Sequence, residues 1–158
     1  MSTLIAYSTK HGATRKYAEA LAGEFSGPVR VVDLRQDPGV DLAPFDTVII
    51  GSAIYAGQAQ KEVRDFCARN LAALKEKRLG LYVCCWFQDQ APRQLAAAFP
   101  SELLAAAAAK TALGGEIIMT ELTFFERLIV KAVARLKESV SSYSLEAARQ
   151  FAGALKSA

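Results

Sequence analysis

The sequence predicts an α/β protein, a parallel β-sheet with helices on both faces. Short, almost wholly apolar runs alternate with segments of helical periodicity along the chain, and such alternation implies parallel strands joined by crossovers. The runs lack the in–out pattern of a half-wetted sheet, as strands covered on both faces do. At 158 residues, the chain suits one domain, 1–158, with a substantial core.

Each element can be read in order. "TLIAYS" (3–8) is the first strand, and its apolar run stops at small polar residues. After Gly12, residues Tyr17, Ala18, Leu21, Ala22 and Phe25 fall at helical spacing, with Gly27-Pro28 as the stop. "VRVVDL" (29–34) is the second strand and "TVIIGSA" (47–53) the third. The polar stretch between them holds two prolines and is too short for a full helix. Val63, Phe66, Cys67, Leu71 and Leu74 then mark an amphipathic helix. "LGLYVCCWF" (79–87) is the fourth strand, followed by an alanine-rich helical stretch broken before Pro100. "TALGGEIIM" (111–119) is the fifth strand, where Gly114-Gly115 suggests a bulge or close backbone approach. Helices near 124–138 and 144–156 close the chain, with Ser144 as N-cap of the last.

Composition narrows the class. Hydrophobic residues make up 52% and charged residues 22%, a soluble globular balance. No apolar run approaches the ~20 residues that span a bilayer. The stretch "MSTLIAYSTK" has neither the basic start nor the long apolar run of a secretory leader, so a cytoplasmic location is expected. Three cysteines without metal-ligand spacing and a single histidine argue against a zinc site. The net charge of +3 is mildly basic, and no nucleic-acid partner is expected.

The loop after the first strand, "STKHGAT" (8–14), bears the main functional signal. In open α/β sheets ligands bind beyond the carboxyl ends of strands. Thr9, His11 and Thr14 offer side-chain donors, Lys10 adds positive charge, and the backbone through Gly12 and Ala13 leads into a helix N-terminus. Such an end favours an anion. The two-glycine phosphate loop ending Gly-Lys-Ser/Thr is absent, as is the Gly-x-Gly-x-x-Gly fingerprint. A hydroxyl-rich loop with one glycine remains.

That loop resembles the phosphate loop of the flavodoxin family, a Ser/Thr-rich turn ending Gly-x-Thr. Thr9, Gly12 and Thr14 match it, while Lys10, His11 and Ala13 depart from the usual residues. The resemblance implies a flavodoxin-like three-layer sandwich, with a five-stranded sheet in the order 2-1-3-4-5 and flavin mononucleotide (FMN) as cofactor. It also implies that the loops after the third and fourth strands wall the flavin ring. Here those loops offer Ser52, Ala53, Ile54, Tyr55, Ala56 and Gly57, then Cys85, Trp86 and Phe87. Tyr55 and Trp86 or Phe87 are the planar candidates. Cys84-Cys85 can close only a strained ring and reads as a pair of small hydrophobes. No general acid or base stands out, and His11 lies on the phosphate side.

The flavodoxins that act as electron carriers are strongly acidic, unlike this chain. The whole length more closely resembles the menaquinone-dependent protoporphyrinogen dehydrogenase branch of flavodoxin-like proteins. The shared features are the Ser-Thr-basic-x-Gly-x-Thr opening, the third-strand exit, and "GGEIIMTELTFFERLIVKAVARLK" near the C-terminus. The expected partners are therefore FMN and either a redox substrate or a protein redox partner. In the 124–138 helix, Arg127, Lys131 and Arg135 form a basic stripe beside an apolar face. It reads either as an ordinary domain helix or as a contact with an anionic membrane surface.

Overall fold

Thr3–Ser8 forms strand β1, and all six residues are buried. The structure, a computed structural model, describes residues 1–10, 12–85, 88–117, 128, 140–141 and 143–158. After β1 come helix α1 (Ala13–Ala22) and strands β2 (Val29–Asp33), β3 (Thr47–Tyr55) and β4 (Gln58–Ala59). Helices α2 (Lys61–Arg69) and α3 (Leu71–Lys75) lead to β5 (Arg78–Cys85). Helices α4 (Ala91–Ala98) and α5 (Ser101–Ala106) lead to β6 (Ala109–Gly114). Strands β7 (Glu116–Ile117) and β8 (Val140–Ser141) and helix α6 (Leu145–Ser157) follow.

The main sheet runs β2-β1-β3-β5-β6, every neighbouring pair parallel. Counting only these five strands, this is the expected order 2-1-3-4-5. The sheet has a sixth member that the sequence reading lacks: β4 pairs antiparallel with β3. It exists because Ala56 and Gly57 both take positive φ, 51° and 76°, as a two-residue hairpin turn requires. The third strand consequently extends through Ile54 and Tyr55, which the sequence places in a loop.

Side-chain alternation sorts the core into two clusters, one on each face. Leu4, Ala6, Val48, Ile50, Leu79, Leu81 and Val83 pack with residues of α2 to α5. Ile5, Tyr7, Ile49, Tyr82 and Cys84 pack with Tyr17, Ala18 and Leu21 of α1 and Phe151, Ala152 and Leu155 of α6. Both faces are thus covered, which explains the unbroken apolar runs.

Other boundaries differ from the sequence reading for local reasons. The helix over Val63 to Leu74 is two helices, because the Asn70 side chain donates to the Phe66 carbonyl at 2.9 Å and ends α2. Helix α1 stops at Ala22, capped by Gly23, ahead of Gly27-Pro28. The fifth strand begins at Ala109 and ends at Gly114. Gly115 then donates its N–H to the Cys85 carbonyl at 3.0 Å, and Glu116–Ile117 pairs antiparallel with β8. The break before Pro100 is present. So is the Ser144 cap, whose hydroxyl accepts from the Ala147 N–H. The predicted 124–138 helix lies outside the described residues except for Leu128, which is helical and exposed. Among the described residues no helix is long and apolar enough to cross a membrane.

Candidate functional site

The carboxyl ends of β1, β3 and β5 lie side by side, since Ser8 is in register with Ser52 and Ala53 with Cys84. The three loops singled out in the sequence therefore meet at one edge of the sheet.

In the first loop, Thr9 is buried and its hydroxyl accepts the Gly12 N–H at 2.9 Å. Gly12 sits at φ 98°, a left-handed conformation that a side chain would strain. A Cβ there would have no atom within 4 Å, so the space beside the turn is open. Gly12 is also the N-cap of α1, and its carbonyl accepts the Lys16 N–H. The N–H groups of Ala13, Thr14 and Arg15 consequently point out of the first turn without intrahelical partners. That turn holds no acidic residue to compete for them. The Thr14 hydroxyl is buried with no hydrogen-bond partner. Burial pushes the neighbouring Cys84 thiol up to about 12, and the Thr14 side chain opposes part of that shift. His11 lies outside the described residues.

The loop is braced from behind by a residue that sequence reading missed. The buried Tyr82 hydroxyl donates to the Thr14 carbonyl at 3.0 Å. Its ring occupies the space left by Gly51, its partner in register on β3. A Cβ on Gly51 would lie 2.0 Å from Tyr82 Cζ. The available signal was a glycine inside an otherwise apolar strand, which marks close approach. A second missed contact is Ser8, whose hydroxyl donates to the Glu62 carboxylate at 3.2 Å and ties β1 to the start of α2.

In the second loop, the Ser52 hydroxyl accepts the Gln60 N–H and donates to the Ala53 carbonyl, both at 2.9 Å. Ser52 is thus committed to holding the β3–β4 hairpin. Ile54 is half-buried at its base and packs against the core. Tyr55 is 42% exposed, an unusual setting for a large aromatic ring. The Lys10 ammonium stands over that ring, 3.4 Å from its centre. The sequence places Lys10 in the phosphate loop, and the structure sets its ammonium over Tyr55 of the second loop.

In the third loop, Cys84 and Cys85 are buried and outside any disulfide, and burial raises both above the ordinary thiol value. Trp86 and Phe87 lie outside the described residues, and a short 3-10 turn, Gln88–Gln90, leads into α4. An open depression of about 420 Å³, lined by Pro38, Glu62, Asp65, Ala68 and Arg69, lies beside α2. Its Arg69 guanidinium is spent on the Pro38 carbonyl at 2.7 Å.

An open turn of unpartnered N–H groups, an orphaned buried hydroxyl and an exposed aromatic ring fit an anionic ligand with a flat ring. Comparison with known proteins agrees. A family model for the flavodoxin domain matches residues 4–144. No curated protein matches the sequence. Among solved structures, flavodoxin 1 of Bacillus cereus superposes with a TM-score of 0.62 at 14% identity, covering 99% of this chain and 98% of that one. A flavodoxin of Streptococcus pneumoniae TIGR4 gives 0.62 at 19% identity, with 99% of both chains covered. Rubredoxin:oxygen oxidoreductase of Desulfovibrio gigas gives 0.58 at 18% identity, and there the match covers 99% of this chain but only 36% of the larger enzyme. The structural likenesses speak for the fold, and the family model speaks for descent. The chain belongs to the flavodoxin-domain family, and FMN is its cofactor.

Proposed function

We propose that this protein is an FMN-dependent oxidoreductase that passes electrons or hydride between a reduced organic substrate and an acceptor such as a quinone. The observation that carries this reading is the juxtaposition of the α1 N-terminal cradle with the exposed Tyr55 ring, on adjacent strands. In this reading the N–H groups of Ala13 and Thr14 hold the phosphate, with Thr9 fixing the turn and Gly12 giving it room. Tyr55 covers one side of the ring, and Trp86 or Phe87 is the candidate for the other. Ser52, Ala53, Ala56 and Gly57 shape the hairpin edge, and Cys85 ends the strand beneath it. When bound, FMN supplies reversible one- and two-electron chemistry, which the protein orients and tunes. The chain offers no thiolate for it: burial keeps Cys84 and Cys85 neutral. A porphyrinogen is the finer substrate reading, resting on the resemblance in the opening loop and the C-terminal segment. A quinone acceptor would give the basic 124–138 segment a membrane surface to meet.

A second reading, an electron carrier for a protein partner, is supported by the superposition on small flavodoxins over nearly all their residues. The net charge of +3 weighs against it, because carriers of this family meet basic partners through acidic surfaces. The test is turnover. Protein alone, reconstituted with FMN, is expected to oxidise a porphyrinogen or reduce a quinone. No turnover, with rapid reduction by a flavodoxin reductase, selects the carrier. A colourless protein that refuses added FMN overturns both.

A further inference from the structure

Beneath the first turn of α1, the inner face of β5 presents two side chains to Thr14, Tyr82 and Cys84. We infer that Cys84 is a positioning residue for the anion cradle: its thiol donates to Thr14 Oγ and so turns the Thr14 hydroxyl proton outward, toward a bound phosphate. This rests on the FMN-binding reading above.

Three observations carry it. Thr14 is fully buried, and its hydroxyl stands among the described residues without a hydrogen-bond partner, a costly state unless a ligand satisfies it. Tyr82 and Cys84 lie two residues apart on β5, so they share one face, and both belong to the core cluster under α1. The Tyr82 hydroxyl is already committed to the Thr14 carbonyl at 3.0 Å. That bond seats Thr14 on this face and leaves Cys84 as the β5 donor beside its hydroxyl, where the Thr14 side chain acts on the thiol in turn. Finally, Cys84 is only 5% exposed and outside any disulfide, and burial keeps its thiol protonated. It therefore has a proton to donate. A hydroxyl offers one proton and two acceptor lone pairs. When an anion draws the Thr14 proton outward, the lone pairs of Oγ face the core, and the Cys84 S–H fills one of them. Each bond in such a chain polarises the next, so the thiol strengthens the bond to the phosphate while no proton changes hands.

The test compares FMN with riboflavin, which has the same ring and no phosphate, on flavin-free wild type, Cys84→Ala and Cys84→Ser. Cys84→Ala is expected to weaken FMN binding about fivefold, as loss of one modest hydrogen bond would, and to leave riboflavin binding unchanged. Cys84→Ser, whose hydroxyl is the stronger donor, is expected to bind FMN at least as tightly as wild type. The S–H stretching band of Cys84, assigned by its absence from Cys84→Ser, should move to lower frequency in infrared difference spectra when FMN binds. Saturating riboflavin should leave it in place. If Cys84→Ala binds FMN like wild type, or weakens FMN and riboflavin equally, the thiol only fills space and the inference is overturned. A Cys84→Ser variant no tighter than Cys84→Ala overturns it as well, as does a Cys84 band that ignores FMN. If the variants do not fold, the wild-type spectrum decides: no S–H band that answers FMN but not riboflavin means no such bond. A wild type that binds no FMN overturns this inference together with the reading beneath it.

Discussion

At Thr14 one atom separates stability from binding. Its hydroxyl is buried and unpartnered, and an orphaned buried polar group costs about 1–3 kcal/mol. Thr14→Val keeps the shape and removes the orphan, so the flavin-free protein should gain about 1 kcal/mol in urea unfolding. If that hydroxyl turns to the phosphate when FMN binds, the same change loses a hydrogen bond to a charged group, and FMN affinity should fall about tenfold or more. Opposite signs from one substitution are the expected outcome; unchanged affinity would place the phosphate elsewhere. Ala56 offers a simpler case. An alanine at φ 51° carries left-handed strain that glycine does not. Ala56→Gly should therefore raise the thermal midpoint by a few degrees, worth roughly 0.5–1 kcal/mol after glycine's extra chain entropy. At this scale the sequence was readable where backbone geometry dictates residue type, as at Gly12. It was not readable where a long flexible side chain chooses its partner, as Lys10 does across two loops.

Elements succeed or fail by what sits between them. The α1 N-terminus is held in place by Tyr82, and Tyr82 has its place only because β3 carries Gly51. Gly51→Ala sets a methyl where the tyrosine ring stands, in a strand paired on both sides. Neither strand can yield, so the loss should reach about 3 kcal/mol. Gly51→Ala combined with Tyr82→Leu should recover part of that stability, giving a favourable coupling in a double-mutant cycle by chemical denaturation. FMN affinity should stay below wild type in the double variant, since the brace on Thr14 is gone. The strands were legible because burial on both faces leaves continuous apolar runs. Helix α6 was legible because Ser144 announces its start. The β3–β4 hairpin was hidden because Ala56 is not a residue that advertises a positive φ. The Asn70 break was hidden because the apolar spacing continues across it into Leu71 and Leu74, and only the asparagine's side-chain bond interrupts the helix.

Across the whole molecule, one face of the sheet is built around tyrosines whose hydroxyls are structural, and this fixes how the protein meets alkali. Tyr17 is fully buried against Tyr82 and Tyr143. Its hydroxyl accepts the Ser144 N–H at 3.0 Å, which fastens α1 to the start of α6. Burial is the chief cause that pushes the Tyr17 phenol up to about 12, and burial likewise raises Tyr82 well above its ordinary value. An unfolded tyrosine ionises near pH 10. Between these values the folded chain keeps protons that the unfolded chain has released, so stability falls as pH rises. The Tyr17 contribution is complete below about pH 10 and is lost as pH climbs through about 12, a decline of roughly 2–3 kcal/mol. Asp33 bounds the acid side with the opposite sign. Its bond to Arg35 holds its carboxyl below the usual value, so its contribution is present above about pH 4 and fades as pH falls through the lowered value. Denaturant midpoints measured from pH 8 to 12 should hold up to about pH 10 in wild type and fall beyond it. Tyr17→Phe should start lower, having lost the bond to Ser144, but decline less steeply, so the two curves converge toward pH 12. Parallel curves would mean that the alkaline limit is set by another group on this face, with Tyr82 the next to replace.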